Sequence, residues 1–267
     1  MRAWFEAMAA IARRDALLFL SYRTQIVAQL VGPLFTLTVF YYISHLLHPN
    51  SFLHSPGGYF GFVIVGLVII QVLTVSLGVM PASVRQELVS GTIERFLVSA
   101  HGPVNGILGT MIFPMINACI SGVFMLVMAT AIFGLPLATT AFLALPVAIL
   151  GVFAFMPFAL GLVSLVLAFK QAASATQFLV AGVAIIGGLY FPVALLPGWI
   201  RWMSDVQPFT PATELLRHLL VGAPLLHSVW VELLKLTAFG LVLFPVGVLT
   251  LRAAVRYGQR TGTIAEY

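Results

Sequence analysis

Charged side chains are scarce in this 267-residue chain. Asp, Glu, Lys and Arg make up 8% of it, whereas a soluble domain averages roughly 25%. Residues 24–84 and 96–169 contain none of the four. Hydrophobic residues account for 61% of the chain, and the mean hydropathy is +1.07. Because one membrane crossing takes about 20 apolar residues, we predict an all-α membrane protein with about six transmembrane helices.

Cysteine and the common cofactor motifs are also nearly absent. Cys119 is the single cysteine and lies in an apolar run, which excludes an intrachain disulfide and a cysteine-based metal site. The chain has no His-Glu-x-x-His motif and no glycine-rich loop ending in Lys-Ser or Lys-Thr. We therefore expect the chain to bind neither a metal nor ATP by itself, and we expect no enzymatic activity of its own.

Acidic residues are missing from the middle of the apolar runs. Ion-coupled carriers and intramembrane enzymes need ionisable groups at depth, so the sequence argues against both classes. We also see no clear repeat between the two halves, which a secondary carrier often has. Glu232 and Lys235 lie at the start of the last apolar run, where their spacing predicts a salt bridge near the headgroups.

The basic residues indicate the topology. With the N-terminus inside, ten Lys and Arg residues fall on the cytoplasmic side and three on the outer side, as the positive-inside rule requires. Six crossings also place the C-terminus inside. The net charge of +5 is therefore explained by topology, and we expect no nucleic-acid partner. The inner set is Arg2, Arg13, Arg14, Arg23, Arg85, Arg95, Lys170, Arg252, Arg256 and Arg260, and the outer set is Arg201, Arg217 and Lys235.

The alternation of apolar runs and breakers predicts one membrane domain over residues 1–267. It begins with an amphipathic helix on the inner membrane surface, residues 1–23, and ends with a cytoplasmic tail, residues 252–267. The predicted crossings are residues 25–47, 59–82, 104–133, 139–169, 172–191 and 228–251. Two further segments, residues 85–101 and 192–227, are too polar to span the membrane.

Residues 85–101 form a charged island between two apolar runs. Val89, Ile93, Phe96, Leu97 and Ala100 follow a helical spacing that puts them on one face. Ser90 or Thr92 is suited to cap a helix start, and Glu94 then falls in the first turn. We predict a short amphipathic helix after a break at Gly91-Thr92, with a solvated loop as the alternative.

Residues 192–227 are broken by proline yet rich in apolar side chains. Trp199 and Trp202, three residues apart, indicate a short interfacial helix. Residues 211–220 indicate a second helix, on which Glu214 and Arg217 have the spacing of an ion pair. We therefore expect two short helices in this segment and no crossing of the membrane.

A few polar and aromatic residues lie inside the apolar runs. Polar side chains at this depth usually join helices by hydrogen bonds, and contact with cargo is the alternative. Aromatic residues near a run's end are expected anchors at the headgroups, although they are also able to line a path for cargo. These candidate pathway residues are Tyr41, Tyr42, Gln71, Thr74, Asn117 and Ser121.

Two motifs resemble those of bacterial ABC-2 type transport permeases. Residues 91–94, Gly-Thr-Ile-Glu, followed by Arg-Phe-Leu-Val-Ser, are similar to the family's Gly-Thr-hydrophobic-Glu signature. Residues 190–199 and 207–222 are similar to its fifth-helix exit and external re-entrant hairpin, and the resemblance implies an external gate formed by Trp199, Trp202, Glu214 and Arg217. Ile93 stands where the family usually has Leu, and Gln207 where it usually has Asn. Both motifs occur in the family's order, and the resemblance covers nearly the whole chain.

The resemblance implies a membrane subunit of an ABC exporter in the bacterial inner membrane. The island would be the coupling helix, which docks into a separate ATPase subunit holding ATP and Mg²⁺. Two ATPase copies would join two permease chains, forming a homodimer among membrane lipids. A hydrophobic or amphipathic cargo such as a drug, a lipid or a lipid-linked glycan is expected, and a glycan chain is the alternative. The implied docking residues are Glu87, Ser90, Gly91, Thr92, Ile93, Glu94, Arg95 and Phe96.

Overall fold

The computed structural model describes residues 2–46, 56–92, 102–169, 173–225 and 227–261, and every regular element in these ranges is helical. Short 3₁₀ turns occur at Ala141–Leu143 and Val193–Leu195, and a π-helical turn at Val75–Val79. The α-helices are α1 (Arg2–Ser21), α2 (Arg23–Leu46), α3 (Pro56–Thr74), α4 (Met80–Val89), α5 (Pro103–Phe133), α6 (Ala144–Phe169), α7 (Ala173–Ile186), α8 (Gly198–Asp205), α9 (Phe209–Val221) and α10 (Val229–Thr261).

Five helical segments in the described part of the chain are long and apolar enough to cross a membrane. This confirms the predicted all-α membrane fold. The segments are Arg23–Leu46, Gly58–Val89, Pro103–Phe133, Ala141–Phe169 and Val229–Arg260. The run predicted as the fifth of six crossings, residues 172–191, is helical among its described residues only over the 14 residues of α7. That length is below the ~20 residues of a full crossing.

Two glycines end α7 earlier than the hydropathy predicts. Gly187 and Gly188 follow the helix directly, and Gly188 adopts a φ of 67°, which closes a helix with little strain only when the residue lacks a Cβ. The chain then leaves the helix direction through Leu189 and enters the segment before α8. Residues 170–172, where the crossing was expected to begin, lie outside the described residues.

The second crossing continues further than expected. α3, the π turn and α4 form one continuous helical rod to Val89, whereas we expected the crossing to end at residue 82. Pro81 occupies the first turn of α4, and neither Gly nor Pro follows it before Gly91, so the amphipathic residues Arg85 to Val89 extend the same helix. Gly91 has a φ of 68° and ends it. The break predicted at Gly91-Thr92 is present, but Arg85 and Glu87 precede it on α4.

Small residues allow the long helices to pack closely, as in other membrane bundles. A Cβ on Gly247 would lie 3.1 Å from the Cα of Pro157, so α10 and α6 approach almost backbone to backbone. A Cβ on Gly122 would lie 2.8 Å from a methyl group of Val68, which brings α5 against α3. These contacts make α3, α5, α6 and α10 the frame around which the other helices are arranged.

The segment between α7 and α10 contains the two short helices that the sequence predicts. α9 is buried along nearly its whole length and packs against α3, α6 and α10. Phe209 at its start is fully buried, with its ring centroid 4.4 Å from that of Phe155 on α6. α8 instead leaves Trp199 and Trp202 exposed. The predicted external segment therefore consists of one helix inserted into the bundle and one on its surface.

Candidate functional site

The first candidate site is the Glu87 junction, which consists of Arg14, Glu87, Ser90 and Thr92. Arg14 on α1 places Nη2 3.2 Å from Oε1 of Glu87 at the end of α4. Thr92 donates from its hydroxyl to the other carboxylate oxygen of Glu87. Glu87 thus joins the N-terminal helix to the turn that leads into residues 93–101.

The turn after α4 is held by its own hydroxyl groups. Ser90 donates to the carbonyl oxygen of Gln86 at 2.8 Å, and its hydroxyl lies 2.9 Å from that of Thr92. Thr92 also reaches the carbonyl oxygen of Glu87 at 3.3 Å. These bonds occupy carbonyl groups that the end of the helix leaves without partners. The direction in which the chain leaves α4 is therefore set by Ser90, Gly91 and Thr92.

The charges at the junction favour the ion pair only modestly. Partial burial opposes the charge of Arg14, but hydrogen bonding and attraction from Asp15 and Glu87 outweigh it and raise the pKa of Arg14. The Arg14 side chain is 43% exposed, and exposed pairs contribute about 0–1 kcal/mol to stability. The junction therefore fixes the relative position of α1 and α4 more than it stabilises the fold.

The implied docking residues divide into two groups. Glu87, Ser90, Gly91 and Thr92 meet at the junction, as just described. Ile93, Glu94, Arg95 and Phe96, with the rest of the predicted helix up to residue 101, lie outside the described residues. The amphipathic helix after the Gly91-Thr92 break remains a prediction from the sequence pattern.

α1 connects the junction to a membrane helix. The side chain of Ile11 packs against Gly109 on α5, where a Cβ would lie 2.8 Å from the Ile11 methyl group. Phe19 lies against Phe113 with ring centroids 5.7 Å apart.

The sequence offers no direct signal for the contact between Arg14 and Glu87, because 73 residues separate them. The opposite charges at the ends of two apolar runs are the only hint.

Arg217, predicted as a gate residue, is buried inside the bundle with 4% of its surface exposed. Nη1 donates to the carbonyl oxygen of Gly188 and Nη2 to that of Leu189, both at 2.8 Å. Nε donates to the carbonyl oxygen of Phe62 on α3 at 3.1 Å, and the guanidinium carbon lies 3.3 Å from the centroid of the Phe62 ring. Arg217 therefore links α9, the end of α7 and α3.

The predicted bond between Glu214 and Arg217 is not formed. The guanidinium group is directed to backbone carbonyls just beyond the C-terminus of α7, where the helix dipole favours a positive charge. Glu214 instead borders a small polar cavity with His227, Glu232 and Lys235. The spacing on α9 was suitable for a pair, but the carbonyls lie closer to the guanidinium group than the carboxylate does.

Gly66 allows Arg217 to reach these carbonyls. A Cβ at Gly66 would overlap the carbonyl oxygen of Leu189 and lie 3.0 Å from Nη2 of Arg217. The helix α3 can approach the turn after α7 only because this position has no side chain. The sequence pattern did not single out Gly66, because glycine is common in membrane helices.

The predicted salt bridge at the start of α10 is present. Lys235 donates from Nζ to Oε1 of Glu232 at 3.0 Å, and His227 places Nδ1 3.0 Å from the same oxygen. Glu232 is buried, whereas the His227 side chain is half exposed. Trp199 and Trp202 face outward on α8, and the indole of Trp202 donates to the carbonyl oxygen of Trp199. These residues all lie on the same side of the bundle as Arg217.

Asn117 and Ser121, predicted as pathway candidates, join two helices. Gln29 on α2 donates from Nε2 to Oδ1 of Asn117 at 3.3 Å and to the hydroxyl of Ser121. This contact corresponds to the helix-joining role of polar residues in membranes. Sequence analysis missed Gln29, although an amide in a charge-free run was the available signal.

The remaining pathway candidates are Tyr41 and Tyr42 on α2, and Gln71 and Thr74 on α3. Tyr41 packs between Phe60 and Phe133, with ring centroids 5.5 and 5.0 Å away, and therefore fastens α2 to α3 and α5. Tyr42 is exposed. Gln71 is half-buried on α3, whereas Thr74 borders a cavity that also includes Arg85, Thr176 and Gln177.

The described residues contain no group of three or more His, Cys, Asp or Glu side chains able to hold a metal ion. None of the curated proteins compared with the chain matches it. A family model described as ABC-2 type transporter matches residues 6–221, which include the Glu87 junction, α9 and Arg217. The match covers most of the chain and agrees with its apolar helices. The chain is a multi-pass membrane protein that belongs to the ABC-2 type transporter family.

Proposed function

We propose that this chain is the permease subunit of an ATP-driven exporter. Two copies form the pathway for a hydrophobic or amphipathic cargo, and two ATPase subunits bind on the cytoplasmic side, where they hold ATP and Mg²⁺. The chain lies in the bacterial plasma membrane with both termini in the cytoplasm. Membership of the ABC-2 family, the apolar spans and the distribution of basic residues support this proposal.

The Glu87 junction is the observation that carries the proposal. A partner that docks on residues 85–101 acts on Thr92 and Glu87, which end the continuous rod of α3 and α4. The same carboxylate holds Arg14 on α1, and α1 packs against α5. A displacement of the docked segment is thereby passed to two membrane helices at once. Only a difference in contact between the partner's two states is needed to shift the bundle between two packings.

The π turn is a natural point for such a change. Residues 75–79 contain the extra residue per turn that π-helical segments insert, and such turns are often found at functional sites. They lie between the part of the rod that is packed in the bundle and the part that ends at Glu87. We expect motion of α4 to be taken up here.

Replacing Glu94 with Lys tests the docking role. The reversed charge should uncouple ATP hydrolysis from transport by at least tenfold, because a close like-charge contact replaces an attraction at the interface. Membrane insertion should be unchanged. The matched control is Glu266→Lys in the predicted C-terminal tail, which makes the same charge change away from the island. Transport at the wild-type rate by the Glu94→Lys complex in proteoliposomes would contradict the docking assignment.

A further inference from the structure

A cavity, called here the polar cavity after the four polar residues in its otherwise apolar lining, opens where the α3–α4 rod meets α6 and α7. Its empty volume is about 640 Å³, and the four polar residues are Thr74, Arg85, Thr176 and Gln177. Gly78 in the π turn lies against Thr176, where a Cβ would be 3.7 Å from the threonine methyl group. The cavity lies at the end of the bundle where α4 and α6 terminate, which is the cytoplasmic end in the proposed topology.

An apolar groove adjoins this cavity along the same helices. It has an empty volume of about 940 Å³ and is lined by Leu77, Phe158, Gly161, Leu179 and Val183, among others. Leu179 and Val183 follow the cavity residue Thr176 at i+3 and i+7 on one face of α7, and Leu162 of the groove precedes the cavity residue Val166 by one turn of α6. The groove therefore begins beside the polar cavity.

The direction of the groove follows from the direction of the helices. α6 runs towards the cavity, and Gly161 and Phe158 precede the cavity residue Val166 by about 8 and 12 Å along the helix axis at 1.5 Å per residue. α7 runs away from the cavity, from Gln177 to Val183. The groove thus extends from the polar cavity towards the middle of the membrane.

The charges of the cavity select for an anion. Arg85 is exposed and takes part in none of the salt bridges within the described part of the chain. The described residues that line the cavity include no Asp or Glu. A guanidinium group offers planar, paired donors that match a phosphate or carboxylate group, and Gln177 in the same lining carries a further donor group.

We infer that the cavity and groove together bind an anionic amphiphile from the cytoplasmic leaflet. Arg85 holds the phosphate or carboxylate headgroup, and the hydrocarbon chain lies in the groove. This inference rests on the proposed function for its sidedness and for the subsequent export, and it narrows the cargo to amphiphiles with a negative headgroup. The occupant is a lipid-like molecule and not a second copy of the chain, because the site combines a cationic end with an apolar path directed to the membrane interior.

The test measures binding of short-chain fluorescent phosphatidylglycerol to the full chain in detergent micelles by fluorescence anisotropy. Phosphatidylcholine with the same chains and label is the neutral comparison. We expect the wild-type chain to prefer phosphatidylglycerol by roughly tenfold, the factor of one charge-assisted hydrogen bond. Arg85→Gln should abolish this preference. Arg256→Gln removes the same charge from an exposed position near the C-terminus of α10, away from the cavity lining. This variant should retain the preference.

A second pair of variants tests the groove. A Cβ at Gly161 meets nothing within 4 Å, so the backbone accepts a side chain there and Gly161→Leu places apolar volume in the groove. We expect this variant to lose binding of both lipids. Gly182 on α7 also has open space around its Cβ and does not line the groove, so Gly182→Leu should bind as wild type does.

Three results would overturn the inference. The first is equal affinity of the wild-type chain for the two lipids. The second is unchanged affinity of Arg85→Gln for phosphatidylglycerol. The third is full competition by soluble glycerol phosphate at the lipid's own concentration, which would show an anion site without a groove. Because these measurements need neither ATP nor the ATPase, their failure leaves the exporter proposal intact, and loss of the ATPase partner leaves lipid binding measurable.

Discussion

At the scale of single residues, Arg217 shows how a charged side chain is accommodated in this bundle. Its guanidinium group has three backbone carbonyls as acceptors and the ring of Phe62 beneath it. A buried charge is tolerated when its donors are satisfied in this way. The arrangement holds the turn after α7 against α3. Arg217 therefore positions α9 against α3 and the end of α7. The expected pair with Glu214 lies within α9 and would not have joined these elements.

Replacing Arg217 with Met is expected to lower the free energy of unfolding by about 3 kcal/mol, because the buried carbonyls of Gly188 and Leu189 lose their donors. Arg217→Lys should recover only part of this loss, since an ammonium group lacks the planar, paired donors. The measurement is a titration of unfolding with sodium dodecyl sulfate in mixed micelles. Arg201→Met, at an exposed arginine on α8, is the control and should cost under about 1 kcal/mol. Equal losses for Arg217→Met and Arg201→Met would refute the positioning role.

Gly66 provides an independent test of the same contact. Gly66→Ala adds a methyl group that overlaps the carbonyl oxygen of Leu189, a backbone atom that cannot rotate away. We expect a loss of about 1–3 kcal/mol in the same titration, the usual cost of overpacking. Gly32→Ala on α2 is the control, because a Cβ there meets nothing within 4 Å and alanine favours the helix. A Gly66→Ala chain as stable as wild type would show that α3 and α7 do not approach so closely.

At the scale of elements, the apolar runs predicted the long helices because hydrophobic length is a local property of the sequence. The ends of α4 and α7 could not be predicted as well. α7 ends at the pair Gly187-Gly188. The carbonyl oxygens of Gly188 and Leu189 accept hydrogen bonds from Arg217, which lies 29 and 28 residues further along the chain. α4 continues through a charged stretch because neither Gly nor Pro occurs between Pro81, in its first turn, and Gly91. Both ends depend on contacts or conformations that hydropathy does not contain.

The candidate site was predictable to a similar extent. Residues 85–101 stand out by charge, and Ser90, Gly91 and Thr92 form the break that their residue types predict. The bond from Arg14 to Glu87 spans 73 residues and emerges only when α1 packs against α5. The link from Gln29 to Asn117 likewise needs two helices to be side by side.

The contact between α1 and α4 is tested by exchanging its charges. Arg14→Glu and Glu87→Arg should each reduce the coupling of ATP hydrolysis to transport by about fivefold, since like charges then face each other across the junction. The double variant restores an opposite pair and should recover most of the coupling. Glu6→Arg on α1 serves as a control outside the junction. If the double variant is no better than the product of the two single effects, the two residues do not act as a pair.

At the scale of the whole molecule, the Glu87 junction and the Arg217 contacts lie at two different ends of the bundle. At one end, the Glu87 junction connects α1, α4 and the segment proposed to dock on an ATPase. At the other, α9 is inserted between α3, α6 and α10 and is held by Arg217. The continuous rod of α3 and α4 connects the two ends, because Phe62 and Gly66 contact the Arg217 region and Glu87 contacts Arg14. In the proposed topology, a movement imposed at the Glu87 junction can thus reach the region around Arg217 through a single element.

The most direct test of this account is affinity purification of the full chain in mild detergent, with identification and quantification of the proteins that elute with it. We predict an ATPase subunit in a one-to-one ratio with the permease chain. A chain that elutes alone, remains folded and still transports cargo in proteoliposomes would contradict the proposal that residues 85–101 couple this permease to ATP hydrolysis.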